Sequence, residues 1–176
     1  MKRWPLLAAL ALSACAPALP ATEIVLAVES DLPGKLQGAQ VVLEPAADRA
    51  GPALFASDCV CVGTQQGCTA LPLTLGLGPE AGDSNAFTVV ARGYSDSGCT
   101  DKIVEQSATV TFATDQRLLL ELDLTTACEN DFCPSGSTCR DASGQCVDDA
   151  RPSLPPFDID AGVPLSPDSP DLGASD

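Results

Sequence analysis

Nine cysteines and no histidine in 176 residues set the strongest limit on this chain. An odd number cannot pair completely, but setting Cys15 aside leaves an even set that can pair fully in an oxidising compartment. The absence of histidine excludes a Ser-His-Asp triad, a Cys-His dyad and every metal site with an imidazole ligand. We therefore expect an exported, disulfide-linked protein that is not an enzyme.

The N-terminus has the pattern of an export signal. The positive segment Met1–Arg3 precedes an apolar run, Trp4–Leu12, whose nine residues fall far short of the ~20 that a transmembrane helix needs. The run leads into Leu12–Cys15, which reads L-S-A-C and resembles the lipobox that the bacterial lipoprotein signal peptidase recognises. That resemblance implies a signal peptide over residues 1–14. Cys15 would then start the mature chain, with diacylglycerol on its sulfur and an acyl chain on its amine.

An ordinary signal-peptidase site is the alternative to lipidation. Ala16–Ala18 and Leu19–Ala21 both have the small residues that this cleavage needs, and cutting there would release a soluble protein. The apolar run ends directly at Cys15, which favours lipidation. The residue after Cys15 is Ala16 and not aspartate. In well-studied lipoproteins, the absence of aspartate at this position is associated with export to the outer membrane. The prediction is an outer-membrane protein that contacts the bilayer through acylated Cys15, with residues 15–21 as a tether.

The charge balance argues against nucleic acid as a partner. Asp and Glu number 24 against 9 Lys and Arg, a formal net charge of −15, whereas phosphate binding needs clustered cations. Aromatic residues make up 4% of the chain, too few for a stacking platform for sugars or bases. The sequence has neither a D-x-D-x-D-G calcium loop nor a glycine-rich phosphate loop. No metal and no cofactor are therefore predicted.

Residues 22–126 contain short segments in which apolar and polar side chains alternate with a period of two, which is typical of half-buried strands. These segments are Thr22–Ser30, Gly38–Glu44, Leu71–Leu77, Ala86–Tyr94, Val104–Phe112 and Arg117–Leu124. Pro72 limits the third of them to a sheet edge or to the start of a strand. Leucine and glutamate also suit a helix in the last one, but its strict alternation favours a strand. The sequence therefore predicts an all-β fold, an antiparallel sandwich of immunoglobulin-like or transthyretin-like type, with a small barrel as the alternative.

Four cysteines belong to this domain: Cys59, Cys61, Cys68 and Cys99. The string CVCVGTQQGC looks like a hairpin, in which Cys59 and Cys61 share a strand face and cannot easily bond to each other. If Cys61 lies across from Cys68, Cys59 is left to pair with Cys99. The exchanged pairing, Cys59 with Cys68 and Cys61 with Cys99, stays open.

A second group of cysteines defines a small module at residues 127–147. Cys128, Cys133, Cys139 and Cys146 follow the spacing C-x4-C-x5-C-x6-C. So short a segment has no core of its own, and two disulfides would substitute for one. It resembles half of an EGF-like or another small extracellular knot, which favours pairing the first cysteine with the third and the second with the fourth. A four-thiolate zinc site is the alternative, which export to an oxidising compartment disfavours.

Residues 148–176 differ in composition from the rest of the chain. They are rich in proline and aspartate and contain one cation, Arg151. Such a composition buries too little apolar surface to offset chain entropy, so we expect a disordered tail. A docking peptide is the alternative, with Phe157 and Ile159 as its contact residues.

Several phrases in combination resemble the uncharacterised lipoproteins that are abundant in myxobacteria. Besides the lipobox, they are TEIVLAVESDLP, LPLTLGLGPE, ARGY, RLLLELDL, CENDFCPSGSTCRDASGQCV and SLPPF, within residues 12–157. The resemblance implies a secreted, anchored β domain with a Cys-rich end and assigns no biochemical role. The cysteines at 59, 61, 68 and 99 are less general among such proteins, so their pairing is not carried over.

Taken together, these features predict a lipid-anchored, non-catalytic binding or adhesion module for an envelope protein or an extracellular polymer. A structural envelope component without a specific ligand is the alternative. A disulfide-linked protease inhibitor that uses the loop Pro134–Thr138 has less support. Serine and threonine nucleophiles have no histidine base. Glu121 and Asp123, the most obvious carboxylate pair, are expected to share the solvated outer face of a strand.

Overall fold

A computed structural model describes residues 22–32, 34–46, 51–79, 85–140 and 143–158. Within these ranges the fold is all-β, with one short 3-10 helix at Thr126–Cys128. The strands are β1 (Glu23–Ser30), β2 (Gly38–Pro45), β3 (Phe55–Ala56), β4 (Val60–Cys61), β5 (Leu73–Leu77), β6 (Phe87–Tyr94), β7 (Lys102–Val110), β8 (Arg117–Leu124), β9 (Ser137–Arg140) and β10 (Gln145–Asp148). The predicted signal, residues 1–14, and tether, residues 15–21 with Cys15, lie outside the described residues.

The strands form two main sheets and one hairpin. One sheet has the order β5-β1-β8, and the other has the order β3-β2-β6-β7 with β4 also paired to β2. Strands β9 and β10 form the separate hairpin. As Pro72 predicts, β5 begins one residue after it and lies at a sheet edge. The sandwich predicted from the alternating pattern is the observed architecture.

One strand pair has a direction that the sequence does not predict. β1 and β8 pair in parallel, from Glu23 opposite Arg117 to Ser30 opposite Leu124. Every other pair of named strands in the described ranges is antiparallel. A period-two pattern fixes which side chains face the core, but it is the same for either strand direction.

The hydrophobic core lies between the facing sides of the two main sheets. Its central residues come from alternate positions of the long strands: Ile24, Leu26, Val28, Val41, Val89, Ala91, Val104, Ala108, Val110, Leu118, Leu120, Leu122 and Leu124. Leu120, Leu122 and Leu124 are fully buried, so β8, the segment with some helical character, packs as a strand. These inward positions carry mainly leucine and valine, so aliphatic side chains fill the core of a chain that has few aromatic residues.

All eight cysteines after residue 58 are joined in pairs. The disulfides are Cys59–Cys99, Cys61–Cys68, Cys128–Cys139 and Cys133–Cys146. Their Cα atoms are 4.8 to 5.8 Å apart, inside the range that disulfides normally span. The favoured pairing in each group is the one observed. A four-thiolate zinc site needs free thiolates, so these bonds rule that alternative out for the module.

The segment around Cys61 differs from the predicted hairpin. After β4 the chain turns over and returns through a parallel bridge between Val62 and Thr69. Gly63 has a φ of 132°, a backbone conformation that residues other than glycine rarely adopt. The ten-residue string is therefore a loop closed by the Cys61–Cys68 disulfide, and the antiparallel hairpin prediction was wrong.

The Cys-rich module packs against β7. The Thr138 hydroxyl accepts a hydrogen bond of 2.8 Å from the Ser107 backbone N–H, and this contact is buried. Asn130, just after the 3-10 helix, donates its backbone N–H to the Ile103 carbonyl at 2.7 Å. Cys139, in β9, is 1% exposed and belongs to the core cluster. The module is thus part of the sandwich's packing and not a separate appendage.

The segment Asp149–Phe157, here called the C-terminal strap, continues from β10 along the edge of β7. The Thr109 backbone N–H donates to the Asp149 carbonyl, and the Arg151 N–H donates to the Thr109 carbonyl, both at 2.8 Å. The Asp149 side chain is buried, with a relative exposure of 2%, and accepts hydrogen bonds from the Ser107 and Thr109 hydroxyls at 3.0 and 3.2 Å.

The same strap then reaches the other sheet. The Leu119 N–H donates to the Pro155 carbonyl, and the Phe157 N–H donates to the Arg117 carbonyl, both at 2.9 Å. Residues 148–158 therefore do not fit the prediction of a disordered tail from residue 148, because backbone pairing with two sheet edges orders them. The rest of the predicted tail, including Ile159, lies outside the described residues.

Candidate functional site

The two ends of the described chain lie at the same pole of the sandwich. Near the start of the described chain, Glu23 donates its backbone N–H to the Gln116 carbonyl at 3.0 Å. Near its end, Phe157 donates its backbone N–H to the carbonyl of Arg117, which directly follows Gln116. We call this the entry pole. Because β1 and β8 are parallel, both run away from it.

The opposite pole has the loops that the first two disulfides brace. β7 ends at Val110, and only six residues separate it from the start of β8 at the entry pole. The first residue of β7, Lys102, and its partner on β6, Tyr94, therefore lie at the far end. The Cys59–Cys99 bond ties the loop after β6 to the segment before β4, and Cys61–Cys68 closes the next loop. We call this the disulfide pole.

Asp96 fixes the loop after β6. Its carboxylate accepts backbone N–H bonds from Asp101 at 2.7 Å, Gly98 at 2.8 Å and Thr100 at 3.0 Å. These hydrogen bonds lower the pKa of the Asp96 carboxyl below its usual value, and the bond from Asp101 has the largest effect. Together with the disulfide at Cys99, these bonds hold the loop in one conformation.

A groove lies between the outer face of the five-stranded sheet and the Cys-rich module. It has a volume of about 330 Å³, at the lower end of the range for small-molecule sites. Its lining residues come from both parts of the fold: Glu44, Val90, Arg92, Glu105 and Ser107 from the sheet, and Cys133, Pro134, Ser135 and Ser137 from the module. We call it the ion-pair groove.

Alternating charges cross the sheet side of the groove. Arg92 Nε lies 2.9 Å from Glu105 Oε2, and Arg92 Nη2 lies 3.3 Å from Glu44 Oε1. Lys102 Nζ, on β7, is 2.8 Å from the same Glu105 oxygen. Arg92 and Glu105 are paired residues on β6 and β7, so the strand register brings their side chains together. The two positive and two negative groups balance.

The network continues toward an exposed aromatic ring. Lys102 Nζ lies 4.4 Å from the centre of the Phe132 ring, within cation–π range. Phe132, in the module next to Cys133, keeps 48% of its surface exposed. The lysine thus connects the groove's carboxylate Glu105 to an aromatic side chain near its rim.

The ion pairs change the titration of Glu105. Burial raises the pKa of the Glu105 carboxyl, but the hydrogen bonds from Lys102 and Arg92, together with their positive charges, outweigh burial and leave the pKa below its ordinary value of 4.5. At Tyr94, by contrast, burial dominates and raises the phenol pKa. The Tyr94 hydroxyl lies 3.2 Å from Gln40 Oε1, beside the same network.

We predict a specific dependence of stability on pH at Glu105. The pKa of Glu105 is lower in the folded state than its unfolded value of 4.5. The contribution of ionised Glu105 to folding stability is therefore complete above pH 4.5 and is lost as the pH falls through the folded pKa. Glu105→Gln should therefore flatten the loss of stability in acid, measured by urea unfolding at a series of pH values.

Glu121 provides a control of opposite sign. Burial, then the nearby Asp123 charge, raises its pKa above 4.5, while Arg151 opposes the shift. Ionised Glu121 thus costs stability as the pH rises, and Glu121→Gln should make the acid loss steeper. Equal slopes in both variants would contradict the assignment. As predicted, Glu121 and Asp123 share the outer face of β8, where Asp123 is exposed.

The sequence did not reveal the ion-pair groove. Arg92 and Glu105 stand 13 positions apart, and only the β6–β7 register makes them neighbours. The sequence does show that Arg92 and Glu105 each lie on the polar face of a predicted strand. It does not show that the two side chains are neighbours, because that depends on the strand register. The described side chains include no cluster of three or more His, Cys, Asp or Glu that could hold a metal ion.

Comparison with protein-family models, with curated proteins and with solved structures finds no match. Within the described ranges, no helix has the length and apolar character needed to cross a membrane.

Proposed function

We propose that this protein is a lipid-anchored lipoprotein of the outer membrane that acts as a non-catalytic binding or adhesion module. The observation that carries the proposal is the position of the lipobox cysteine relative to the fold. Cys15 is seven residues before Thr22, the first described residue. Directly after Thr22 the chain enters the sandwich at the entry pole. An extended tether of that length spans at most ~25 Å.

This arrangement would orient the molecule on a membrane. A short tether holds the entry pole near the bilayer and directs the disulfide pole away from it. Burial of acyl chains contributes ~0.8 kcal/mol per CH₂, and two or more chains make detachment negligible. The cross-linked loops at Cys59–Cys99 and Cys61–Cys68 would then face the surroundings in a fixed conformation, which lowers the entropy cost of binding a partner.

The partner class is an envelope protein or an extracellular polymer. A structural component without a specific ligand is the second candidate, and the packing of the module against β7 is consistent with it. Chemical cross-linking of intact cells would separate the two. One stoichiometric partner supports the binding module, whereas a scatter of abundant membrane proteins supports the structural component.

Replacing Cys15 by serine should move the protein from the membrane fraction to the soluble fraction, because a serine cannot carry the thioether-linked lipid. Cell fractionation and the intact mass of the mature chain measure the change. The Cys61→Ser/Cys68→Ser variant is the control, since it removes one disulfide and leaves the anchor. An unchanged distribution, or a wild-type chain that begins unacylated after Ala18 or Ala21, would overturn the proposal.

A further inference from the structure

The ion-pair groove has a chemistry that points to one class of ligand. The chain as a whole has a net charge of −15. The charged residues that line the groove, Glu44, Arg92 and Glu105, are nevertheless balanced once Lys102 is counted, which lies outside the lining but 2.8 Å from Glu105. A balanced site offers neither an excess of cations for an anion nor an excess of carboxylates for a cation. Its ligand is therefore expected to be neutral.

The groove offers both hydrogen-bond donors and acceptors at close spacing. A guanidinium has five N–H groups, and the two ion pairs of Arg92 use one at Nε and one at Nη2. Carboxylates accept more than one hydrogen bond each, and the serine hydroxyls at 135 and 137 can do either. Alternating donors and acceptors match a ligand rich in hydroxyl groups, each of which also donates and accepts.

The walls of the groove are fixed before any ligand arrives. On the module side, Cys133 is bonded to Cys146 and adjoins Pro134, whose ring restricts the backbone. On the sheet side, Arg92 is held by carboxylates at 2.9 and 3.3 Å. A preformed site avoids the entropy cost of ordering loops on binding.

From these features we infer that the ion-pair groove binds neutral sugar units of an extracellular polysaccharide. This inference rests on the proposed function, because it names the polymer that the anchored module would hold. Arg92 would donate hydrogen bonds to sugar hydroxyls, and the Glu44 and Glu105 carboxylates would accept hydrogen bonds from them. The exposed ring of Phe132, next to the lining residue Cys133, adds an apolar surface beside the groove. Because the chain has too few aromatic residues for a stacking platform, hydrogen bonds carry the recognition and each site binds weakly. Many copies anchored on one membrane supply avidity.

Titration with named sugars tests the inference. Maltose, cellobiose and lactose serve as neutral probes, and galacturonic acid and glucosamine as charged ones, added to the full chain in detergent with binding followed by NMR and calorimetry. We expect millimolar affinity for at least one neutral disaccharide and weaker binding of the charged sugars. Absence of binding by all neutral probes, or a preference for a charged one, would overturn the inference.

One matched pair of variants and a third substitution test the position of the site. Ser135 is exposed and lines the groove, so Ser135→Phe should block it without disturbing the core. Ser153→Phe makes the same change at an exposed position of the strap, in a separate depression. Arg92→Lys keeps the charge but loses the fork of N–H groups, and should weaken binding about tenfold. Binding that survives Ser135→Phe, or is lost equally in Ser153→Phe, would overturn this placement.

These outcomes are separate from the fate of the anchor. If Cys15→Ser leaves the protein in the membrane fraction while the sugars bind at the groove, the lipid anchor is wrong and the sugar site stands. If the anchor is confirmed and no neutral sugar binds, the sugar site is wrong and the anchored module needs another ligand.

Discussion

Replacing Cys59 and Cys99 together by serine is expected to lower the free energy of unfolding by about 4 kcal/mol. The bond closes the longest loop of the four disulfides, with a sequence separation of 40 against 7 for Cys61–Cys68. Removing a cross-link gives the unfolded chain more conformations, and this gain grows with loop length. A loss of this size is a large fraction of the stability of an ordinary domain.

Local packing adds to this effect. A Cβ atom built on Gly38 would lie 3.1 Å from the Cys99 sulfur and 3.4 Å from the Cys59 sulfur, so the disulfide packs closely on the start of β2. Serine oxygens without the S–S bond leave this contact less well filled. We expect the loop after β6, despite the Asp96 hydrogen bonds, to become more accessible to proteases in the variant.

The Cys61→Ser/Cys68→Ser variant is the matched comparison. Its shorter loop predicts a smaller loss, about 2.5 kcal/mol. Urea unfolding of both variants under non-reducing conditions measures the difference. If the Cys61–Cys68 variant loses as much stability as the Cys59–Cys99 variant, loop length does not govern the effect, and strain or packing must explain it.

The strands of this fold could be predicted because their signal is local. Alternation in β8 or β1 indicates which side chains face the core, and four of the five leucines of β8, all except Leu119, belong to it. Strand direction and partner depend on residues far apart in the chain. The parallel pairing of Glu23 with Arg117 across 94 positions leaves no trace in either segment alone.

The strap was missed for a related reason. Proline and aspartate in Asp149–Phe157 resemble a solvated tail, because composition measures only how much apolar surface a segment can bury. What orders the strap is backbone pairing with the edges of β7 and β8 and one buried carboxylate. Both edges belong to other parts of the chain, and the strap covers only part of each, at Thr109 on β7 and at Arg117 and Leu119 on β8.

The ion-pair groove could not be predicted from the sequence for the same reason. Its two walls come from segments that the sequence treats as separate, the sandwich at residues 22–126 and the Cys-rich module at residues 127–147. Ser107 of the sandwich shows how closely they are joined, since its backbone N–H donates a buried hydrogen bond to the hydroxyl of Thr138 in the module. A site at such a junction becomes visible only when the docking is known.

Asp149→Ala is expected to lower the free energy of unfolding by about 3 kcal/mol. The Asp149 carboxylate accepts the hydroxyl hydrogens of Ser107 and Thr109. Since Thr109 donates its single hydrogen to Asp149, the Thr88 hydroxyl 3.0 Å away must donate to Thr109. Alanine would leave this buried chain of hydroxyls without its final acceptor, which costs more than an exposed hydrogen bond.

Asp149→Asn is the matched control, because its amide oxygen still accepts one hydrogen bond while its amide nitrogen accepts none. Its loss should be about half that of alanine. A second comparison isolates the strap: a chain ending at residue 158 should keep full stability, and one ending at residue 148 should lose at least as much as Asp149→Ala. If the chain ending at 148 unfolds at the same urea concentration as the chain ending at 158, the strap does not stabilise the sandwich, and the pairing of Thr109 and Leu119 with it contributes nothing measurable.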